Sequence, residues 1–187
     1  MVYPKSLESL INYYKKLPGI GEKNAERLAL ATLNFKEEDI DNFAKSLEDV
    51  KKKIRKCKIC GHLSEDEICD ICKDDGRDHN LICVIEDYKS VFSFEKAGNY
   101  KGVYHVLNGL ISPADNIGPD NINLASLVKR VDEAKKPELI LALKSTVEGE
   151  TTTLYIKKIF ENKDVVISRL SYGIPMGAEI DYLDIIT

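Results

Sequence analysis

The chain has 187 residues, with 27 lysines and arginines against 31 aspartates and glutamates and a formal net charge of -4. That length can bury a real core or hold two or three small units. The charge excludes a protein that grips nucleic acid through overall basicity, so any phosphate-binding surface must be a local patch. No apolar run reaches membrane-spanning length and no basic-then-apolar leader opens the chain, so the expected location is the cytoplasm. Reducing conditions there argue against disulfides among the five cysteines.

Residues 1–56 read as a helical domain. Leu7, Leu10, Ile11 and Tyr14 recur at helical spacing. Leu17-Pro18-Gly19-Ile20-Gly21 then ends that helix in a short turn. Ala25, Leu28, Ala29 and Leu33 give a second helix its apolar face, and Ile40, Phe43, Ala44, Leu47 and Val50 do so for a third that starts near Glu37. The turn and its flanks have the pattern of a helix-hairpin-helix. Gly19 and Gly21 let the backbone come close to a phosphate, and N–H groups at the start of the next helix point out to receive it. Lys23 and Arg27 are one helical turn apart and add charge on one face. Such a motif holds the backbone of DNA and reads no sequence; the alternative is an ordinary helix turn. The run Lys51-Lys52-Lys53 with Arg55-Lys56 is a further basic stretch, whose blander reading is a solvated helix face.

Residues 57–80 carry Cys57-Lys58-Ile59-Cys60 and Cys69-Asp70-Ile71-Cys72. Two CxxC pairs present four thiolates from two tight turns, enough to enclose one tetrahedral zinc ion per chain. A four-thiolate site has no position open to water, so the zinc is expected to be structural and to supply the folding energy of a module with little apolar sequence. His62 is surplus to a complete ligand set, and Cys83, inside Leu81-Ile82-Cys83-Val84-Ile85, reads as a buried strand residue.

Residues 81–170 alternate strand and helix signals, which predicts a mainly parallel α/β sheet. Strands are expected at Leu81–Ile85, Gly102–Leu107, Glu138–Leu143 and Val165–Leu170, and helices at Ser90–Ala97, Leu124–Ala134 and Thr151–Phe160. A loop rich in Gly, Pro, Asp and Asn spans Ile111–Asn121. Acidic residues follow two of the strands: Glu86 and Asp87 after the first, Glu148 and Glu150 after the third. The crevice beyond the carboxyl ends of parallel strands is a common ligand site, and carboxylates there could hold Mg²⁺; capping of helices is the bland alternative. Residues 171–187 form a short C-terminal segment.

In this order the motifs resemble the bacterial RecR family of recombination mediators. The resemblance rests on Tyr3-Pro4, Leu17-Pro18-Gly19-Ile20-Gly21, Ala25-Glu26-Arg27-Leu28-Ala29 and the four-cysteine module with Cys60-Gly61-His62. It continues through Tyr104-His105-Val106-Leu107-Asn108-Gly109, Ile111-Ser112-Pro113, Ile117-Gly118-Pro119, Val147-Glu148-Gly149-Glu150 and Gly173-Ile174-Pro175-Met176-Gly177. The resemblance implies a helix-hairpin-helix, a four-cysteine zinc finger and a Toprim-type α/β domain. It also implies a non-enzymatic role in DNA repair: a ring-like tetramer that clamps single-stranded, duplex or gapped DNA. The partners it implies are RecO and often RecF, with help to RecA in replacing single-strand-binding protein, at the nucleoid. Lys23 and Arg27 fall where the family contacts DNA. Glu86, Glu148 and Glu150 fall at its Toprim acidic positions, which the family links to RecO contact. Catalytic Toprim proteins carry an aspartate pair where this chain has Glu148-Gly149-Glu150, and the longer side chains shift the carboxylates away from an Mg²⁺ site. Many members continue past Tyr182-Leu183-Asp184 with a short helical tail, so the C-terminal segment reads as shortened.

Two other functions fit parts of the pattern. A Mg²⁺-dependent nuclease or topoisomerase-like enzyme would use Glu86, Glu148 and Glu150 to stabilise a transferring phosphoryl group, with a tyrosine nucleophile for the second. A protein-binding module would hold zinc and have no DNA affinity.

Overall fold

Proline and glycine punctuate the N-terminal helices in the computed structural model, which describes residues 3–171. The expected C-terminal segment, with Gly173-Ile174-Pro175-Met176-Gly177, lies outside the described residues apart from Ser171. The chain divides into two units, Met1–Lys53 and Ile54–Thr187.

In the first unit, helix α1 (Lys5–Tyr14) begins directly after Pro4, and α2 (Glu22–Thr32) begins directly after Gly21. Between them the Ile20 N–H donates to the Leu17 carbonyl at 3.1 Å, closing a turn with Pro18 and Gly19 at its centre. Gly19 has φ +78°, the left-handed value that the second central position of a type II turn requires. Ile11, Ala25 and Ala29 form the buried core, with Leu7, Leu10, Tyr14 and Ile20 packed around it. Two alanines four apart leave α2 a low ridge for α1 to approach. The Tyr14 and Thr32 hydroxyls add a hydrogen bond at 3.1 Å.

Helix α3 (Glu37–Lys53) has the expected apolar stripe, yet buries none of its residues. Its charge is arranged to suit the helix dipole, with Glu37, Glu38 and Asp39 in the first turn and Lys51, Lys52 and Lys53 in the last.

The second unit opens with the four-cysteine knuckle. Strand β1 (Arg55–Lys56) pairs antiparallel with β2 (Leu63–Ser64), and helix α4 (Asp70–Lys73) follows. The sheet beyond has the order β4-β3-β5-β6, with β3 (Asp78–Ile85), β4 (Gly102–Val106), β5 (Glu138–Ala142) and β6 (Val166–Arg169) all parallel. Burial on both faces explains the near-continuous apolar run of β3. Ile82 and Val84 join a core with Leu127 and Val131 of α6 (Leu124–Glu133) and Ile156 of α7 (Val147–Ile159). Cys83 and Ile85 point the other way, to Val91 of α5 (Tyr88–Ala97) and Tyr104.

Two helix starts differ from expectation for local reasons. Helix α5 starts earlier than Ser90 because the Asp87 carboxylate accepts from Lys89 N (2.8 Å) and Ser90 N (3.3 Å). Helix α7 starts at Val147, well before Thr151, because the Thr146 hydroxyl accepts from Gly149 N at 3.2 Å. Its β-branched threonines, which lower helix propensity, satisfy their hydroxyls within it: Thr151 donates to Val147 O and Thr152 to Glu148 O, each at 2.7 Å.

Candidate metal centre and nucleic-acid interface

The sulfurs of Cys57, Cys60, Cys69 and Cys72 lie within 4.8 Å of one another, and all four residues are buried. A Zn–S bond of about 2.3 Å implies tetrahedral edges of about 3.8 Å, so the quartet fits a zinc ion. Cys60 Sγ lies 3.5 Å from Cys69 Sγ, and all four are free thiols, as is Cys83. Hydrogen bonding with Cys60 pushes the Cys57 thiol down, while its hydrogen bond to Cys57 pushes the Cys72 thiol up. That is the behaviour of crowded sulfurs sharing protons, and a divalent cation would hold all four as thiolates. The Cys69 N–H also donates to Cys57 Sγ at 3.3 Å.

The knuckle is seated on the α/β domain through its first turn. Gly61 has φ +74°, and a Cβ there would lie 2.8 Å from the Val106 carbonyl and 2.8 Å from Asn123 Nδ2. Glycine is therefore required twice, by conformation and by space. The Val106 N–H donates to the Cys60 carbonyl at 2.7 Å, so the knuckle covers the edge of β4. His62, buried beside the quartet, packs edge-on against Phe92 at 5.1 Å, and burial holds its imidazole below the usual pKa. Arg77 forms a two-pronged ion pair with Glu95, to which the Tyr104 hydroxyl also donates at 2.7 Å. This ties the end of the knuckle to α5 and β4.

At the hairpin, Gly19 and Gly21 have no atom within 4 Å of where a Cβ would stand. Gly21 has φ -81°, which any residue adopts, and no side chain caps the start of α2. Neither its conformation nor packing among the described residues of its unit demands a glycine there. Lys23 and Arg27 are exposed one turn apart on α2, and neither makes an ion pair among the described residues.

The acidic positions do not converge in the same way. Glu86 follows β3, and its Oε1 accepts from Lys144 at 2.8 Å, while Oε2 is buried with no partner among the described residues. Glu148 and Glu150 stand in the first turn of α7. Glu150 is held by both guanidinium nitrogens of Arg169. Gly149 between them lets the helix start lie against the Lys144 backbone, where a side chain would collide. Among the described residues, the cysteine quartet is the only group of three or more ligand-type side chains close enough to share an ion. Lys144 and Arg169 were not legible as partners, since they lie 58 and 19 residues from the carboxylates they neutralise.

Three family models match in succession: a RecR helix-hairpin-helix over residues 7–51, a RecR four-cysteine zinc finger over 54–74 and a Toprim domain over 80–171. The "Recombination protein RecR" of Staphylococcus aureus strain MRSA252 is 46% identical over 187 residues, covering 100% of this chain and 94% of the relative. The chain belongs to the RecR family. The RecR of strain Newman matches with the same identity and coverage. The RecR zinc-finger match brackets all four cysteines, and the helix-hairpin-helix match contains Gly19, Gly21, Lys23 and Arg27. The RecR matches thus run in the order of the three structural parts, with the acidic residues inside the Toprim match. No described helix is long and apolar enough to cross a membrane.

Proposed function

We propose that this chain is a non-enzymatic recombination mediator that holds DNA by its phosphate backbone, and that it works with RecO and RecF to load RecA on single-stranded or gapped DNA. The observation that carries this is the bare hairpin: Gly21 stands in open space at an uncapped helix start, beside exposed Lys23 and Arg27. A glycine that the fold itself does not need is explained by a phosphate that approaches the backbone there. Gly19 sets the turn, Gly21 clears the approach, and Lys23 and Arg27 supply the charge.

The zinc held by Cys57, Cys60, Cys69 and Cys72 is structural in this reading. It fixes the knuckle that links the hairpin domain to the α/β domain. Glu86, Glu148 and Glu150 serve as a contact surface for RecO. Two of the three are already paired to cations, which disfavours an Mg²⁺ centre and with it the nuclease or topoisomerase alternative.

Assembly as a ring-like homotetramer is supported by α3. Phe43, Leu47 and Val50 are 42%, 61% and 65% exposed along one stripe, and an apolar stripe left largely uncovered among the described residues suits a partner. Linked protomers would add weak phosphate contacts into firm binding, which an acidic protomer needs. The cytoplasm, at the nucleoid, is the matching location.

The test incubates zinc-loaded protein with end-labelled gapped DNA and Mg²⁺. The reaction is read on a native gel for complex and on a denaturing gel for strand length. A shifted complex with intact strands is expected. Shortened or protein-linked strands that disappear on Glu148→Gln would overturn the non-enzymatic reading.

A further inference from the structure

The structure divides the basic run that follows the hairpin domain. Lys51, Lys52 and Lys53 finish α3, where Lys52 pairs with Glu48 at 2.6 Å and Lys53 with Asp49 at 2.8 Å. Lys56 belongs to β1 of the knuckle, is exposed, and makes no ion pair among the described residues. It stands at the edge of a basin of about 270 Å³ formed with Lys58, Gly61, Asn108, Asn121 and Asn123.

The chemistry of this basin is one-sided. Apart from the zinc ligand Cys57, its lining is lysine, amide and glycine, with no carboxylate, in a chain where acids outnumber bases. Of the three amides, Asn121 is the one fixed so that its nitrogen rather than its oxygen remains to be used. Asn121 Oδ1 already accepts from Gly118 N at 2.8 Å, which leaves its NH₂ free to donate. Asn123 Oδ1 accepts from the Ser126 hydroxyl, and both Asn123 and Asn108 direct Nδ2 to the Val106 carbonyl, at 3.0 and 3.3 Å. The floor is rigid because Gly61 is clamped against these same groups. Lys58 is paired with Glu67 at 2.7 Å, but both side chains are 67% exposed, so water screens the pair and the ammonium is available to a competing anion. The knuckle's acids lie mainly elsewhere: a separate cleft is lined by Glu65, Asp66 and Asp70, of which Asp66 is paired with Lys73.

We propose that this basin is a second phosphate-binding site, which takes one or two backbone phosphates of nucleic acid through Lys56, Lys58 and the Asn121 amide. The inference rests on the DNA-binding reading above and assigns the zinc knuckle a direct contact beyond its structural role. Lysine ammonium groups act as point charges on the backbone, so the contact is expected to position nucleic acid rather than to read its sequence.

The test measures binding of zinc-loaded full chain to a labelled oligothymidylate over a range of salt. The proteins compared are wild type, Lys56→Gln/Lys58→Gln, Asn121→Asp and Lys23→Ala/Arg27→Ala. Removing two phosphate contacts is expected to weaken binding about 5- to 10-fold at moderate salt. It should also lower the log–log salt slope by about 1.4, from about 0.7 per single-strand phosphate. Zinc content and melting temperature should stay at wild-type values, since both lysines are exposed. Asn121→Asp retains the acceptor for Gly118 N–H while placing a negative charge in the basin, and should weaken binding several-fold without touching a residue next to a cysteine. If both basin variants bind with wild-type affinity and slope while Lys23→Ala/Arg27→Ala is impaired, the basin is not a phosphate site and the hairpin reading survives. If wild type itself shows no salt-sensitive binding, the hairpin and basin readings fall together.

Discussion

Gly21 and Gly61 show how glycines separate at the scale of single residues. A Cβ at Gly61 would press on the Val106 carbonyl and φ is positive, so Gly61→Ala should destabilise the α/β unit by about 3 kcal/mol, read as a lowered unfolding midpoint. A Cβ at Gly21 meets nothing and φ is ordinary. Gly21→Val should leave the melting temperature nearly unchanged and weaken DNA binding about tenfold or more, because the methyls would occupy the space the phosphate needs. The sequence made Gly19 and Gly21 legible through the turn they share with Pro18. It did not reveal why Gly61 is glycine, since the atoms that crowd it come from residues 106, 108 and 123.

His105 supplies a pH dependence. It is fully buried on β4, with Nε2 bonded to the Asn123 carbonyl at 2.8 Å and Nδ1 without a partner among the described residues. Burial pushes its pKa down to about 4, with Arg130 acting in the same direction. The unfolded chain therefore binds a proton at this residue before the folded chain does. Stability from neutral His105 is complete above pH of about 6.5 and declines as pH falls towards about 4, at up to about 1.4 kcal/mol per unit. Unfolding midpoints of wild type and His105→Gln should converge as pH drops through this window. A constant difference between pH 4 and 7 would contradict the assignment.

Among the elements, the knuckle and α3 make opposite demands. The knuckle has its four sulfurs already gathered, so its stability follows zinc. Cys60→Ser should lower zinc content below one per chain and the unfolding midpoint together, and a chelator should produce the same loss in wild type. The CxxC spacing made this site legible because ligand geometry is local. Helix α3 was legible as a helix from the period of Ile40, Phe43, Leu47 and Val50, but its stripe is not covered within the described residues. Leu47→Glu should leave far-ultraviolet helicity intact and shift the protein to a smaller species by light scattering. An unchanged mass would remove α3 from the assembly surface. The turn of α7 before the expected start at Thr151 was not legible because it contains Gly149, a weak helix former, and is held by the Thr146 cap.

Across the whole molecule, a chain of formal charge -4 is asked to hold a polyanion. Under the proposed function the contacts concentrate on a hairpin with bare backbone and on Lys23 and Arg27, which make no ion pair among the described residues, and assembly would multiply that site. The order of helical domain, knuckle and parallel sheet was legible because each part has its own local code: helical period, cysteine spacing, strand–helix alternation. The pairing of Glu86 with Lys144 and of Glu150 with Arg169 was not, since ion pairs across a fold leave no local pattern. The most direct measurement is the salt dependence of gapped-DNA affinity for wild type and Lys23→Ala/Arg27→Ala, both zinc-loaded. Weaker binding is expected for the double variant, with a salt slope reduced by about 1.4 to 1.8, the value for two lost phosphate contacts. Unchanged affinity with an unchanged slope would contradict the hairpin as the place where this chain holds DNA.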